Sequence, residues 1–138
     1  MSIALPNGYR PTDKEPFMNM VQKEYFRQKL LSWKQELIQE SNQTLASMQE
    51  ESLAQPDLAD RATAETDRAL ELRTRDRFRK LIAKIDSAVR RIDEDNYGYC
   101  DETGEPISLK RLEARPIATL SVEAQERHER MERTRRDE

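Results

Sequence analysis

The stretch Arg77-Phe78-Arg79-Lys80-Leu81-Ile82-Ala83-Lys84-Ile85-Asp86-Ser87-Ala88-Val89-Arg90-Arg91-Ile92 decides the fold. Its apolar members Phe78, Leu81, Ile82, Ile85, Ala88, Val89 and Ile92 return with the period of an α-helix and leave the remaining faces to charge. Upstream, Phe26, Leu30, Trp33, Leu37, Ser41, Leu45 and Met48 recur at steps of three or four, a second helical stripe. No Gly or Pro interrupts residues 17–55, and a helix over that run would be on the order of 50 Å long. Neither stripe is wide enough to hold a helix alone in water, so the two are expected to pair as an antiparallel coiled-coil hairpin. Ala54-Gln55-Pro56-Asp57 is the short connection, which favours antiparallel neighbours. Pro56 ends the first helix, Asp57 suits the N-cap of the second, and Asp60 follows three residues on as in a capping box. The second helix is expected to run to about Asn96. The half nearer the tip is poorer in large apolar residues and is expected to be the more mobile.

Outward from the hairpin the chain changes character. Residues 1–17 carry Pro6, Asn7, Gly8, Pro11 and Pro16, which read as an irregular N-terminal arm packing on the base. Residues 18–96 form the hairpin, with its tip near 54–60, and residues 97–138 a base and C-terminal helix. Tyr97-Gly98-Tyr99-Cys100 closes the second helix, and Asp101-Glu102-Thr103-Gly104 reads as a turn. Tyr97, Tyr99, Ile107, Leu109, Leu112, Ile117 and Leu120 supply a small apolar cluster, and Ser108 or Ser121 can cap short helices. From Val122 onward nearly every residue is charged or polar, as in a solvated helix that frays at its end. The fold class expected is therefore all-α, a long antiparallel coiled-coil hairpin on a small globular base with a C-terminal helix.

Composition supports that economy. The 138 residues are 36% hydrophobic and 37% charged, with 24 Lys+Arg against 27 Asp+Glu and a net charge of −3. Typical globular chains hold roughly 45–50% apolar and 25% charged residues, so a large core is not expected. No stretch approaches the ~18 apolar residues of a membrane span, and no basic segment precedes an apolar one as in a secretion signal. One cysteine makes no internal disulfide, which fits a reducing cytoplasm. With one His, one Cys and no Gly-rich phosphate loop, nucleophilic and metal-hydrolytic catalysis lack their materials, so no enzyme is expected. A structural zinc site needs four N or S ligands, and Cys100 and His128 are all the chain has, so zinc is not expected either. No Lys, Arg or His lies close in sequence to activate Cys100, which reads as a structural thiol. His128, among Glu126, Arg127, Glu129 and Arg130, reads as a solvated helix position.

The charge is not evenly spread. Residues 41–60 lack Lys and Arg but hold Glu50, Glu51, Asp57 and Asp60, whereas residues 68–91 hold nine bases and three acids. At ~100° per residue, Arg73, Arg77, Lys80, Lys84 and Arg91 share a sector roughly 60° wide beside the apolar seam. Such a stripe can be an ordinary solvated face, or it can meet an anionic partner. Long nucleic acid is disfavoured by the negative net charge and by the lack of aromatic residues among the bases. The acids near the tip can cap a helix, or be delivered into a recess where they bias a Mg²⁺ site or a basic loop.

Taken together, Asp57-Leu58-Ala59-Asp60-Arg61-Ala62, Leu70-Glu71-Leu72-Arg73-Thr74-Arg75-Asp76-Arg77, Arg79-Lys80-Leu81-Ile82, Tyr97-Gly98-Tyr99-Cys100 and Arg111-Leu112-Glu113-Ala114-Arg115-Pro116 resemble the DksA/TraR family of RNA polymerase regulators, over roughly residues 17–120. The resemblance implies a factor that binds RNA polymerase directly rather than DNA. Its hairpin would enter the secondary channel with the tip toward the active site. It would destabilise promoter open complexes and act with ppGpp in the stringent response, inhibiting ribosomal RNA promoters and activating some for amino-acid biosynthesis. It would be a cytoplasmic monomer. The family's tip motif falls on Asp57, Asp60 and Ala62, and its polymerase-rim arginine on Arg77. Positions that help hold ppGpp fall on Leu81, Lys84 and Arg115, while a further family lysine is Gln125 here. The four family cysteine positions fall on Cys100, Thr103, Ser121 and Ala124, so the base resembles a degenerate zinc finger of the cysteine-poor, zinc-independent branch. Two rivals share the broad design: a transcript-cleavage accessory factor that lends its acids to a second Mg²⁺, and a coiled-coil adaptor or chaperone with no polymerase role.

Overall fold

The structure, a computed structural model, describes residues 4–54 and 61–137. In chain order the helices are α1 (Met20–Ala54), α2 (Arg61–Asp93), α3 (Leu109–Ala114) and α4 (Val122–Asp137). Among the described residues there is no strand beyond one isolated antiparallel bridge, Tyr99 to Pro106, and no helix is long and apolar enough to cross a membrane. The expected all-α hairpin is present. The chain divides into two compact units: Met1–Leu30 with Ser87–Glu138, and Leu31–Asp86.

The Leu31–Asp86 unit contains only α1 and α2. Lys34 Nζ pairs with Asp86 Oδ1 at 2.7 Å, and Gln49 Nε2 donates to Glu71 Oε1 at 3.3 Å. From Lys34 to Gln49 is fifteen residues forward, and from Asp86 to Glu71 is fifteen back, so the helices run antiparallel in a constant register. Leu37, Phe78 and Ile85 are buried between them. Trp33, Ser41, Leu45, Met48, Leu81 and Ile82 are half-buried, as their places on the two stripes predict. Leu70 and Leu72 are about half exposed, and from residue 62 to 77 no side chain is buried.

The other unit holds most of the buried apolar surface: Phe26 and Leu30 of α1, Ala88 and Ile92 of α2, and Tyr97, Cys100, Ile107, Leu109, Leu112, Ala118 and Ala124 beyond. Each large side chain removed from water contributes about 1.5–3 kcal/mol. Of the expected cluster, Tyr99 stays more than a third exposed, and Ile117 and Leu120 are half-buried. Tyr97 is the centre of the packing. Its ring lies 5.6 Å from that of Phe26, and its buried hydroxyl donates to the Pro116 carbonyl at 2.6 Å.

The helix ends are set by side chains. Asn19 Oδ1 accepts from the Gln22 N–H at 2.8 Å as the N-cap of α1, and Gln22 Oε1 reaches one residue beyond the cap to accept from the Met18 N–H at 2.8 Å. The fully buried Gln22 spends its Nε2 on the arm, donating to the Thr12 carbonyl at 3.3 Å and to Glu15 Oε2 at 3.0 Å. Tyr9 O–H donates to the same Glu15 oxygen at 2.5 Å, which together with Gln22 holds the Glu15 carboxyl below its ordinary range. At the other end, α2 stops before the Tyr97-Gly98 signal. Asp95 takes φ +61°, with its N–H on the Ile92 carbonyl at 3.2 Å and the Asn96 N–H on the Arg91 carbonyl at 2.8 Å, a Schellman cap with aspartate in the place glycine usually takes. The Asp95 carboxylate is secured by Lys23 at 2.6 Å. Ser108 and Ser121 both cap, accepting from the N–H of Arg111 and of Ala124, each at 3.2 Å.

Gly98 is required twice over. Its φ is +93°, and an added Cβ would lie 3.1 Å from Phe17 Cζ and 3.2 Å from Met18 Cε. Gly98→Ala is therefore expected to cost about 1–3 kcal/mol in urea unfolding, more than Gly104→Ala, whose φ is +74° but whose surroundings are open. Amide exchange is expected to be faster over residues 62–74 than over 78–92, because the former carry no buried side chain.

Candidate functional site

The α2 surface presents four of the five members of the predicted basic stripe, while Arg91 is half-buried with its Nε shielded from solvent. Arg73, Arg77, Lys80 and Lys84 are all exposed. Lys80 is paired with Asp76 at 3.0 Å, and outside the stripe Arg75 is paired with Glu71 at 2.9 Å. Arg73, Arg77 and Lys84 have no ion pair among the described residues. The Arg77 guanidinium lies 5.4 Å from the Phe78 ring centroid, so the buried ring of the seam steadies a cation that stays in water. Leu81, half-buried, and Lys84 follow Arg77 at i+4 and i+7, one face of the helix. Ala62 is exposed on α2, whereas Asp57 and Asp60 lie outside the described residues.

Arg115 belongs to the other unit, where it caps the C-terminus of α3 with its N–H on the Arg111 carbonyl at 2.7 Å. Its side chain is exposed and unpaired among the described residues. Gln125, half-buried on α4, donates to Glu129 Oε1 at 3.4 Å.

Cys100, Thr103, Ser121 and Ala124 are joined by one hydrogen-bonded cluster. The Ser121 N–H donates to Cys100 Sγ at 3.4 Å, and the polar groups of Thr103 and the Glu102 backbone add to what favours its thiolate. Burial pushes the thiol up, but these donors outweigh it and bring its pKa down to about 6. The sequence offers no neighbouring cation to activate Cys100. The fold supplies backbone N–H groups instead, which a search for charged residues misses. Thr103 Oγ1 accepts from the Glu105 N–H at 3.2 Å, and Ser121 Oγ from the Ala124 N–H at 3.2 Å. His128 is not simply solvated: its Nε2 contacts Glu102 Oε1, and Arg127 lies 3.7 Å from the other oxygen of that carboxylate, tying α4 to the 101–104 turn.

Comparison with known proteins gives these arrangements a family. The N-terminal domain family of the DnaK suppressor protein DksA matches residues 22–92, and the prokaryotic dksA/traR C4-type zinc finger matches residues 95–130. The RNA polymerase-binding transcription factor DksA of Caulobacter vibrioides (strain NA1000 / CB15N) is 66% identical over 132 residues, covering 96% of this chain and 93% of that protein. The protein of the same description from Escherichia coli (strain K12) is 40% identical over 123 residues, covering 89% of this chain and 82% of its own. The solved structure of transcription factor DksA2 from Pseudomonas aeruginosa is similar with a TM-score of 0.74 and 42% identity, over 87% of this chain and 95% of that one.

The zinc-finger match overturns the expectation that zinc has no place here, because the family of residues 95–130 is a C4-type zinc finger and points to zinc binding. The donors assembled at the four positions do not fit a four-thiolate centre. They are one thiol, two hydroxyls already accepting backbone hydrogen bonds, and an alanine. No group of three or more His, Cys, Asp or Glu suited to a metal occurs among the described residues. The Cys100 thiolate absorbance in the ultraviolet is expected to rise with a midpoint of about 6 rather than the 9.0 of a free thiol, and Thr103→Val is expected to move that midpoint up. With one family model spanning residues 22–92 and a relative 66% identical over 96% of this chain, the chain belongs to the DksA family.

Proposed function

We propose that this chain is a transcription regulator that binds RNA polymerase through its secondary channel, destabilises promoter open complexes and acts with ppGpp in the stringent response. The observation that carries the reading is the 66% identity over 132 residues to an RNA polymerase-binding transcription factor. The exposed stripe on α2 is consistent with it. Arg77 is assigned to binding the polymerase, and Leu81, Lys84 and Arg115 to holding ppGpp. Asp57, Asp60 and Ala62 are assigned to the polymerase active-site region. The chain acts without catalytic chemistry of its own and without sequence-specific DNA binding, as a cytoplasmic monomer.

The physical logic is a shift of equilibrium rather than a reaction. A change of ~1.4 kcal/mol in the barrier to open-complex dissociation alters its lifetime about tenfold. The tip carboxylates bias the catalytic region of the partner, while guanidinium and ammonium groups on the helix grip an acidic surface. Binding and effect are then carried by different residues and separate under mutation.

Run-off transcription from a ribosomal promoter, with and without ppGpp, tests the reading. Asp60→Asn is expected to leave polymerase binding within about twofold while abolishing the shortening of open-complex lifetime. Arg77→Ala is expected to weaken binding itself, by a factor on the order of ten. An open complex fully responsive to Asp60→Asn would sink the assignment of the tip.

A further inference from the structure

Arg115 offers an unpaired, exposed guanidinium, yet the backbone that carries it is tied down on every side. Its N–H is held by the Arg111 carbonyl at 2.7 Å, and its carbonyl by the Ala118 N–H at 3.0 Å. The next carbonyl, of Pro116, accepts from the buried Tyr97 hydroxyl at 2.6 Å. Arg111 Nε reaches forward to the Leu120 carbonyl at 2.8 Å and closes the 111–120 segment.

Two residues before Arg115, Glu113 fastens the same segment to α1. Its Oε2 accepts from Lys29 Nζ at 2.7 Å, its Oε1 is buried without a hydrogen-bond partner among the described residues, and burial together with this carboxylate pushes the Tyr25 hydroxyl up to about 12. The Lys29 ammonium lies 5.8 Å from the Tyr25 ring centroid, and Arg10 of the arm adds attraction to the same carboxylate. Burial pushes the Glu113 carboxyl up, but Lys29, Tyr25 and Arg10 more than offset it, so the group is ionised at neutral pH. α3 has six residues, too few to hold itself in water. Its position is therefore fixed by contacts outside it, and these converge on the residues flanking Arg115.

We propose that Glu113 and Tyr97 are positioning residues for Arg115, holding its backbone so that the exposed guanidinium is offered to the phosphates of ppGpp from a fixed Cα. The inference rests on the assignment of Arg115 made under the proposed function. A backbone already held has less freedom left to lose on binding, so the frame raises affinity without touching the ligand.

The test uses the full chain with RNA polymerase, titrating ppGpp at a ribosomal promoter. Glu113→Gln and Lys29→Met, which cut the same ion pair from its two ends, are each expected to raise the half-effective ppGpp concentration roughly five- to tenfold. The effect of the protein on open-complex lifetime in the absence of ppGpp is expected to change less than about twofold. Tyr97→Phe is expected to act in the same direction. If its buried packing fails, the other two variants carry the test. Combining Glu113→Gln with Arg115→Ala is expected to be no worse for the ppGpp response than Arg115→Ala alone, because Glu113 acts through Arg115. An unchanged ppGpp response in Glu113→Gln overturns the inference, as does an equal loss with and without ppGpp, or full additivity in the double variant. Should Arg115→Ala itself leave the ppGpp response intact, the assignment of Arg115 falls and the inference with it. Should Arg115→Ala abolish the response while Glu113→Gln keeps it, only the positioning role falls.

Discussion

The burial of Tyr97 is the contact on which the Met1–Leu30 and Ser87–Glu138 unit depends. It sits two residues past the left-handed Asp95 that ends α2, packs its ring on Phe26 of α1, and sends its hydroxyl to Pro116 beyond α3. Three stretches far apart in sequence meet on one side chain. A buried hydroxyl is tolerated only when it finds a partner, and leaving both it and the Pro116 carbonyl unmet would cost about 1–3 kcal/mol each. Burial pushes the ionisation of Tyr97 far up, so the donor stays protonated through the physiological range. The other two tyrosines with raised values behave alike. Tyr9 and Tyr25 are both pushed up to about 12 from 10.0, so their contribution is complete below pH 10 and is lost as pH climbs toward 12.

The Leu31–Asp86 unit solves a different problem with less material. Leu37, Phe78 and Ile85 are its buried apolar side chains among the described residues, and its cross-helix polar contacts are exposed. Exposed ion pairs are worth ~0–1 kcal/mol, so Lys34–Asp86 fixes register more than it adds stability. Helix propensity takes up the rest. Residues 62–92 contain neither Gly nor Pro, and Arg75–Glu71 and Lys80–Asp76 are favourable i,i+4 neighbours, each contributing ~0.2–0.5 kcal/mol. A sequence 37% charged can thus keep two long helices with few buried residues.

Much of this was legible from periodicity, and what escaped it shares a cause. Phe26, Leu30, Leu37, Phe78, Ile85 and Ile92 are apolar residues at helical spacing, and a repeated step needs no partner to be recognised. Exposure of Arg77 and Lys84 follows from the same arithmetic. Gln22 was invisible as a core residue because its burial depends on Thr12 and Glu15 folding back across it, although Asn19 three residues earlier carries the capping-box spacing. The Asp95 turn escaped because glycine, which normally announces such a cap, stands three residues later at Gly98. At Cys100 no charged neighbour in the sequence marks the thiol, because the sulfur is addressed by the Ser121 N–H, a group that nearly every residue carries. Counting cysteines likewise pointed away from zinc, and the family match over residues 95–130 corrects that, because a family is encoded in the whole segment and not in its ligands alone.

The basic stripe sets like charges against one another along one face of α2. Arg73 and Arg77 are i,i+4 neighbours, as are Lys80 and Lys84, and like charges at that spacing destabilise a helix by about as much as opposite ones help it. Asp76 relieves Lys80, but no acid among the described residues relieves Arg73, Arg77 or Lys84. A sequence selected for helix stability alone would place glutamates between these turns, as it does at Glu71 for Arg75. An acidic surface brought against such a stripe would remove the repulsion and gain the attraction together. Salt screens both effects over ~8–10 Å, so added salt steadies the free helix while it weakens its grip on an acidic partner.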